Sequence, residues 1–124
     1  ANRKAKRGWV GYFQVLKALA VDRAIVNCSD TNEGYEEPPP LRLAEFPDLM
    51  AVIKSYGPGV HVGSSDIRHF FWQISLPEPD RQFFSTQIGG KTYEWTALPM
   101  GWSWSPWVAQ GTASLAVYGM ARRL

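Results

Sequence analysis

The sequence predicts an α+β fold in which antiparallel strands pack with two to three helices. Three observations indicate this class: extended apolar runs near the start, a Gly-Gly pair between two further runs, and two proline-opened segments with helical character. The elements do not alternate regularly along the chain, which favours α+β over α/β. With 124 residues, 45% of them apolar and 14% aromatic, the chain can form one packed domain.

The first third of the chain contains two candidate strands and a connector. Residues 8–20 are extended and largely apolar, and a second apolar run occupies residues 24–26. We expect these runs to pair as neighbouring strands. Residues 27–40 are rich in turn-forming residues and end in three prolines, which permit neither a helix nor a central strand. We therefore expect a stiff connector there.

A helix is predicted after this connector. Pro47 suits the first helical turn, Gly57 the end of the helix, and Pro58 prevents its continuation. The apolar side chains between them fall at helical spacing on one face: Leu49, Val52, Ile53 and Tyr56. Residues 60–67 are then predicted to form a strand with Asp66 near its end.

The last third of the sequence is predicted to form a hairpin and a second helix. Residues 83–88 and 91–96 flank Gly89-Gly90, a two-residue turn typical of a β-hairpin. Ser105 can cap a helix whose first position is Pro106, and the helical pattern continues to about Met120.

The net charge of +2 conceals an uneven distribution. Six basic residues lie at the two ends, and without them the body carries a charge of about −4. We treat residues 1–7 as a basic tail and residues 8–124 as the domain. The tail is either solvated or contacts RNA, anionic lipid or an acidic partner. Its basic residues are Arg3, Lys4, Lys6 and Arg7.

Cysteine and apolar content bear on the compartment. Cys28 is the only cysteine, so the chain has neither a disulfide framework nor a set of zinc ligands. This favours a reducing, intracellular compartment. No run of 18 apolar residues occurs, so we expect no membrane span.

Asp66 is the first candidate for chemistry. A carboxylate at a strand end, before a tight turn, can bind a divalent metal ion, and the backbone carbonyl of Ile67 can supply a second oxygen ligand. Two such ions stabilise the attacking and leaving oxygens in nucleotidyl transfer. A lone aspartate before a helix is otherwise an ordinary cap.

The residues that follow Asp66 carry a family resemblance. The segment Asp66-Ile67-x-x-Phe70-Phe71-Trp72-Gln73-Ile74 is similar to the first catalytic block of reverse transcriptases. The resemblance implies that Asp66 binds Mg²⁺ and that Phe71 packs under the deoxyribose of the incoming nucleotide, excluding a 2′-hydroxyl group. Phe71 can otherwise be a core aromatic, as we expect for Phe70 and Trp72.

Two further segments resemble the same family. Residues 98–106, Leu-Pro-Met-Gly-Trp-Ser-Trp-Ser-Pro, are similar to a helix start that contacts template and nucleotide, where glycine allows close approach and free N–H groups face the ligand. Residues 23–32 resemble the fingers strand that contacts the triphosphate. The nucleotide-binding residues that the resemblance implies are Lys17, Arg23, Phe71, Met100, Gly101 and Gln110.

The three blocks together imply part of the fingers and palm of a polymerase-type fold. The implied activity is RNA-directed DNA polymerisation. Its partners would be an RNA or DNA template–primer and a deoxynucleoside triphosphate, in the nucleus, the cytoplasm or an organelle.

The family's second catalytic block, an aromatic-x-Asp-Asp hairpin, does not occur in these 124 residues, and no acid follows Glu94. One aspartate cannot organise two Mg²⁺ ions, so we expect this chain alone to be inactive and to bind no cofactor. Three hypotheses stay open: a piece of a working reverse transcriptase, a retroelement-derived structural subunit of a larger protein assembly, and a non-catalytic nucleic-acid-binding module. The acidic body counts against the third.

Overall fold

The structure is a computed structural model, and it describes residues 8–19 and 21–123. The described part is α+β, as predicted, with two small antiparallel sheets of two strands each. The elements in chain order are β1 (Gly11–Ala18), β2 (Val21–Asn27), α1 (Ser29–Glu33), α2 (Phe46–Tyr56), two 3-10 helices (Phe71–Gln73 and Glu78–Phe83), β3 (Ser85–Ile88), β4 (Lys91–Glu94) and α3 (Ser105–Arg123).

The first sheet confirms the predicted pairing of the two early apolar runs. β1 and β2 are antiparallel, with Gly11 opposite Asn27 and Val15 opposite Arg23. The register shifts between Leu16 and Ala18, so the strand pair is irregular near its turn. Every residue of β1 is exposed, and the pair is anchored to the core only at its other end, where Val26 is buried.

The predicted hairpin and both predicted helices are present. Gly89 and Gly90 have φ angles of 57° and 76°, the left-handed conformations that a two-residue hairpin turn requires. α2 begins with a reciprocal capping box between Glu45 and Asp48. Gly57 follows its last residue with φ 78°. α3 begins at Ser105 as expected and continues to Arg123.

The core lies around β3 and the turn that precedes α3. Backbone hydrogen bonds from Leu76 N–H to the Thr96 carbonyl (2.8 Å) and from Leu98 N–H to the Ile74 carbonyl (2.9 Å) join the segments on either side of the hairpin. The Leu76, Phe84 and Leu98 side chains are fully buried. The buried apolar cluster consists of Val10, Val26, Cys28, Leu76, Phe84, Leu98 and Trp102.

Two secondary-structure predictions were wrong. Residues 60–67 form no strand, because none of the described backbone pairs with them and the Gly63-Ser64-Ser65 sequence favours irregular structure. The expected stiff connector over residues 27–40 includes the short helix α1, since its turn-forming residues also suit a single helical turn. The basic tail at residues 1–7 lies outside the described residues.

The membrane prediction was tested in the described helices. None of them combines the length and apolar character that a membrane span needs.

Candidate functional site

One groove collects residues from three separate parts of the chain, and we call it the cationic groove. It has a volume of about 570 Å³. One side is formed at the β1–β2 turn, another by the segment before and within the first 3-10 helix, and a third by the turn that precedes α3. The lining residues are Lys17, Asp22, Arg23, Ala24, His69, Trp72 and Met100.

The strand pairing explains why Lys17 and Arg23 share this groove. Arg23 lies on β2 opposite Val15, and Lys17 lies on β1 two residues beyond Val15, so both are close to the same end of the strand pair. Lys17 also lies at the register shift between Leu16 and Ala18, where an irregularity increases local twist and changes side-chain direction. Neither basic side chain forms an ion pair with another described residue.

The opposite wall comes from an unusual turn. His69 has φ 51°, a left-handed conformation that costs a non-glycine residue roughly 1 kcal/mol or more. A hydrogen bond from Gln73 Nε2 to the Arg68 carbonyl (2.5 Å) closes the turn around His69. Behind it, Trp72 packs on Trp95 with ring centroids 5.2 Å apart. The turn is thus held in a conformation in which both His69 and Trp72 reach the groove.

Met100 reaches the groove from a turn that Asn32 clamps. The Asn32 Nδ2 group donates to the Gly101 carbonyl (2.9 Å), and Asn32 Oδ1 accepts from Ser103 N–H (2.9 Å). Gly101 itself lies against the end of β2, where an added Cβ would come within 2.6 Å of the Val26 carbonyl oxygen. The glycine is therefore required for close packing of backbone on backbone.

The remaining predicted site residues do not line the cationic groove. Phe71 is partly buried and packs against the core cluster, which is the alternative role that its sequence context left open. Asp66 and Ile67 are exposed in the irregular segment before the His69 turn, and Gln110 is exposed on α3. Three of the predicted nucleotide-binding residues thus meet, at Lys17, Arg23 and Met100.

The magnesium site that the sequence suggests at Asp66 stays a prediction. Among residues 8–19 and 21–123, no three His, Cys, Asp or Glu side chains lie close enough together to hold a metal ion. Asp66 and the Ile67 carbonyl by themselves supply fewer oxygen ligands than Mg²⁺ requires. By themselves these two ligands do not complete a magnesium site, and we derive no chemical step through a magnesium ion.

Cys28 is the only thiol of the chain. Its side chain is buried in the core cluster. Desolvation raises the pKa of the Cys28 thiol to about 11, so the thiol stays protonated near neutral pH. A neutral buried thiol packs as a small apolar group and is not reactive.

Sequence reasoning missed His69 and Trp72 as groove residues. Trp72 had been assigned to the core, and nothing in the local sequence marks His69 as a residue with positive φ. Both positions depend on the turn around His69 and on the packing of Trp72 against Trp95. Comparison with known protein families finds no match, and no curated protein matches the chain.

Proposed function

We propose that this chain contributes the triphosphate-contacting part of a reverse-transcriptase-like nucleotide site, with the cationic groove as the place where a deoxynucleoside triphosphate binds. The observation that carries the proposal is the meeting of Lys17, Arg23 and Met100 at one groove. Lys17 and Arg23 lie on paired neighbouring strands and Met100 comes from a distant segment, and the family resemblance relates each of them to a nucleotide-contacting position.

The chemistry of the groove supports an anionic ligand. Arg23 offers a planar fork of N–H donors to phosphate oxygens, and Lys17 adds a compact ammonium group. Trp72 and Met100 provide apolar surface beside these two cations. Asp22 opposes them and leaves the charged side chains of the lining with one net positive charge at neutral pH, counting His69 as neutral. We therefore expect Asp22→Asn to strengthen triphosphate binding.

The proposal concerns nucleotide binding and not nucleotidyl transfer. The roles of Asp66, Phe71, Gly101 and Gln110 in metal binding, sugar selection and template contact stay proposals that rest on the family resemblance. Binding of the triphosphate by the basic pair does not depend on them, so it can be tested on its own.

The direct test is titration calorimetry with dTTP in a buffer containing a chelator of divalent cations. Lys17→Ala and Arg23→Ala should each weaken binding about tenfold, because each removes a charge-assisted hydrogen bond to phosphate. Lys91→Ala and Arg42→Ala are matched controls, since both residues are exposed and lie outside the groove. Absence of dTTP binding, or equal losses in the controls, would contradict the proposal.

A structural subunit of a larger assembly is the second candidate. The exposed apolar face of α2 favours this candidate, since the side chains of Leu49, Val52 and Tyr56 are 48%, 55% and 74% exposed. Under this candidate Asp66→Asn leaves assembly unchanged, whereas replacing the four basic residues of the tail weakens it. We also expect the 124 residues alone to be poorly soluble; a monodisperse monomer on size-exclusion chromatography would count against this candidate.

A further inference from the structure

A second pocket lies on a different part of the molecule and has different chemistry. This aromatic pocket has a volume of about 350 Å³, and none of its described lining residues also lines the cationic groove. Its walls include the rings of Trp9, Tyr35 and Phe83. Among the described residues of its lining, Asp30 is the only charged one. Neither the family resemblance nor the proposed nucleotide site accounts for it.

Two of these aromatic residues meet at a right angle. Tyr35 and Phe83 lie with their planes at 88° and their centroids 5.9 Å apart. Trp9 contributes a third ring and is 48% exposed, so part of its surface is available to a ligand. Aromatic faces carry negative electrostatic potential, and several of them around one space attract a cation.

Hydrogen bonds hold these walls in place without a ligand. The Tyr35 hydroxyl donates to Asp80 Oδ1 (2.7 Å), and the Thr31 hydroxyl donates to the Phe83 carbonyl (3.0 Å). Burial, together with the hydrogen bond and negative charge of Asp80, raises the pKa of Tyr35 far above its usual value. The Tyr35 phenol therefore stays neutral. Its hydrogen bond to Asp80 fixes the orientation of the ring, and because Asp80 is engaged in this bond we do not count it as the counter-ion of a bound cation.

The start of the described chain is also fixed against this pocket. Gly8 N–H donates to the Gln82 carbonyl (3.0 Å), and Ser85 N–H donates to the Gly8 carbonyl (3.0 Å). A Cβ on Gly8 would overlap the backbone of Phe83. Gly8, the residue next to Trp9, is thus packed directly on the backbone of Phe83, which limits the positions open to the Trp9 ring. Such preorganisation lowers the entropic cost of binding.

Asp30 supplies the charge. It lies in the first turn of α1 and is exposed, and its carboxylate forms no ion pair with another described residue. A carboxylate beside aromatic faces disfavours anions and favours cations with apolar surface. Rings at right angles suit a rounded ammonium head better than the planar guanidinium of arginine, which stacks on one ring face.

We propose that the aromatic pocket binds a methylated lysine side chain of a partner protein. The methylated ammonium group keeps its positive charge for Asp30 and presents methyl groups to Trp9, Tyr35 and Phe83. Local charge complementarity favours a basic segment of a protein, because Asp30 is the one charged residue among the described residues of the lining.

The test compares three short peptides that differ in one side chain: trimethyl-lysine, unmodified lysine, and the neutral carbon isostere in which a tert-butyl group replaces trimethylammonium. Binding is followed by calorimetry on the full chain. The trimethyl-lysine peptide should bind about tenfold more tightly than the isostere, since only the charged head interacts favourably with the ring faces and Asp30. Equal affinity for the isostere, or for unmodified lysine, would overturn the proposal.

Two variants and one control connect binding to the pocket. Asp30→Asn should weaken trimethyl-lysine binding roughly fivefold and Trp9→Leu roughly tenfold. Glu33→Gln makes the same change of charge on the same helix outside the pocket and should leave affinity unchanged. Circular dichroism confirms that each variant is folded, and unchanged affinity in folded Asp30→Asn and Trp9→Leu would overturn the assignment.

The same ammonium chemistry occurs in a choline headgroup. Phosphatidylcholine vesicles are therefore a separate arm of the experiment. Sedimentation of the chain with these vesicles, without binding to the trimethyl-lysine peptide, would assign the pocket to lipid and overturn the protein source. The readout is independent of dTTP binding, so failure here leaves the proposed nucleotide site untouched.

Discussion

Two regions of this chain have similar supplies of large apolar side chains and bury very different fractions of them. The open region, residues 41–67, contains α2 and exposes most of its apolar side chains, including Tyr56 at 74%. The anchored region, residues 74–109, contains the hairpin and the start of α3 and fully buries Leu76, Phe84 and Leu98. Apolar composition is therefore not what decides burial here.

The difference lies in long-range backbone contacts. In the anchored region, the backbone of residues 74–76 is hydrogen-bonded to that of residues 96–98. Asn32, which precedes Gly101 by 69 residues, clamps the turn at Gly101. α2 has its own capping box and terminal glycine, which suffice to begin and end a helix. Local signals of this kind do not bring a second element to cover its apolar face.

The largest expected effect is the difference in stability between two variants that each truncate one aromatic side chain, one in the anchored region and one in the open region. Phe84→Ala should lower the free energy of unfolding by about 4 kcal/mol, because it removes a fully buried ring and leaves a cavity. Tyr56→Ala should change it by less than about 0.5 kcal/mol, since that side chain is largely exposed. Urea denaturation of both variants measures the comparison, and similar losses would show that the open region is packed in solution.

A pair of glycine substitutions tests the close packing of the anchored region. Gly101→Ala should destabilise the fold by about 3 kcal/mol, because the new methyl group would meet the Val26 carbonyl oxygen. Gly111→Ala, where nothing lies within 4 Å of an added Cβ, should stabilise α3 by about 0.5–1 kcal/mol. Thermal melts of the two variants should move in opposite directions, and movement in the same direction would refute the packing described at Gly101.

The Asn32 clamp is expected to contribute less to stability than the Phe84 ring or the close packing at Gly101. Asn32→Ala should cost about 2 kcal/mol, since it removes two hydrogen bonds and leaves Gly101 C=O and Ser103 N–H without these partners. It should also weaken dTTP binding, because the clamped turn carries Met100. Gln87→Ala, an exposed amide on β3, is the control. An Asn32→Ala variant as stable as this control would show that the conformation of the turn does not depend on the Asn32 hydrogen bonds.

The smallest effect is a pH dependence that comes from Cys28. In the unfolded chain the thiol ionises near its ordinary pKa of 9.0, whereas burial raises the folded pKa to about 11. The neutral thiol therefore contributes stability that is intact below pH 9 and is lost as the pH rises towards 11. We expect a decrease of about 1 kcal/mol between pH 8 and pH 10. Urea midpoints should show a smaller decrease in Cys28→Ala, and an identical pH profile would refute this origin.

Elements with strong local signals were predictable. The Gly89-Gly90 hairpin, the helix from Pro47 to Gly57 and the helix opening at Ser105-Pro106 all occur, because turn chemistry, caps and helical spacing act over a few residues. The strand predicted at residues 60–67 failed since its formation needed a partner strand. Val60 and Val62 have β-propensity but no described backbone pairs with them.

The candidate site was predictable only in part. The resemblance to reverse transcriptases pointed to Lys17, Arg23 and Met100, which meet in the cationic groove. His69 and Trp72 could not be predicted, because their side chains reach the groove through a turn with φ 51° that packing maintains. The aromatic pocket was also invisible in the sequence, since its rings come from residues 9, 35 and 83.

The sequence by itself determined the secondary-structure class, the hairpin turn and the limits of α2, since each depends on interactions between residues a few positions apart. Only the tertiary structure decided which apolar side chains form the core, why residue 101 has to be glycine, and which residues line the two pockets. These features depend on contacts between segments as far apart as Asn32 and Ser103, and a linear pattern does not specify which distant segments meet.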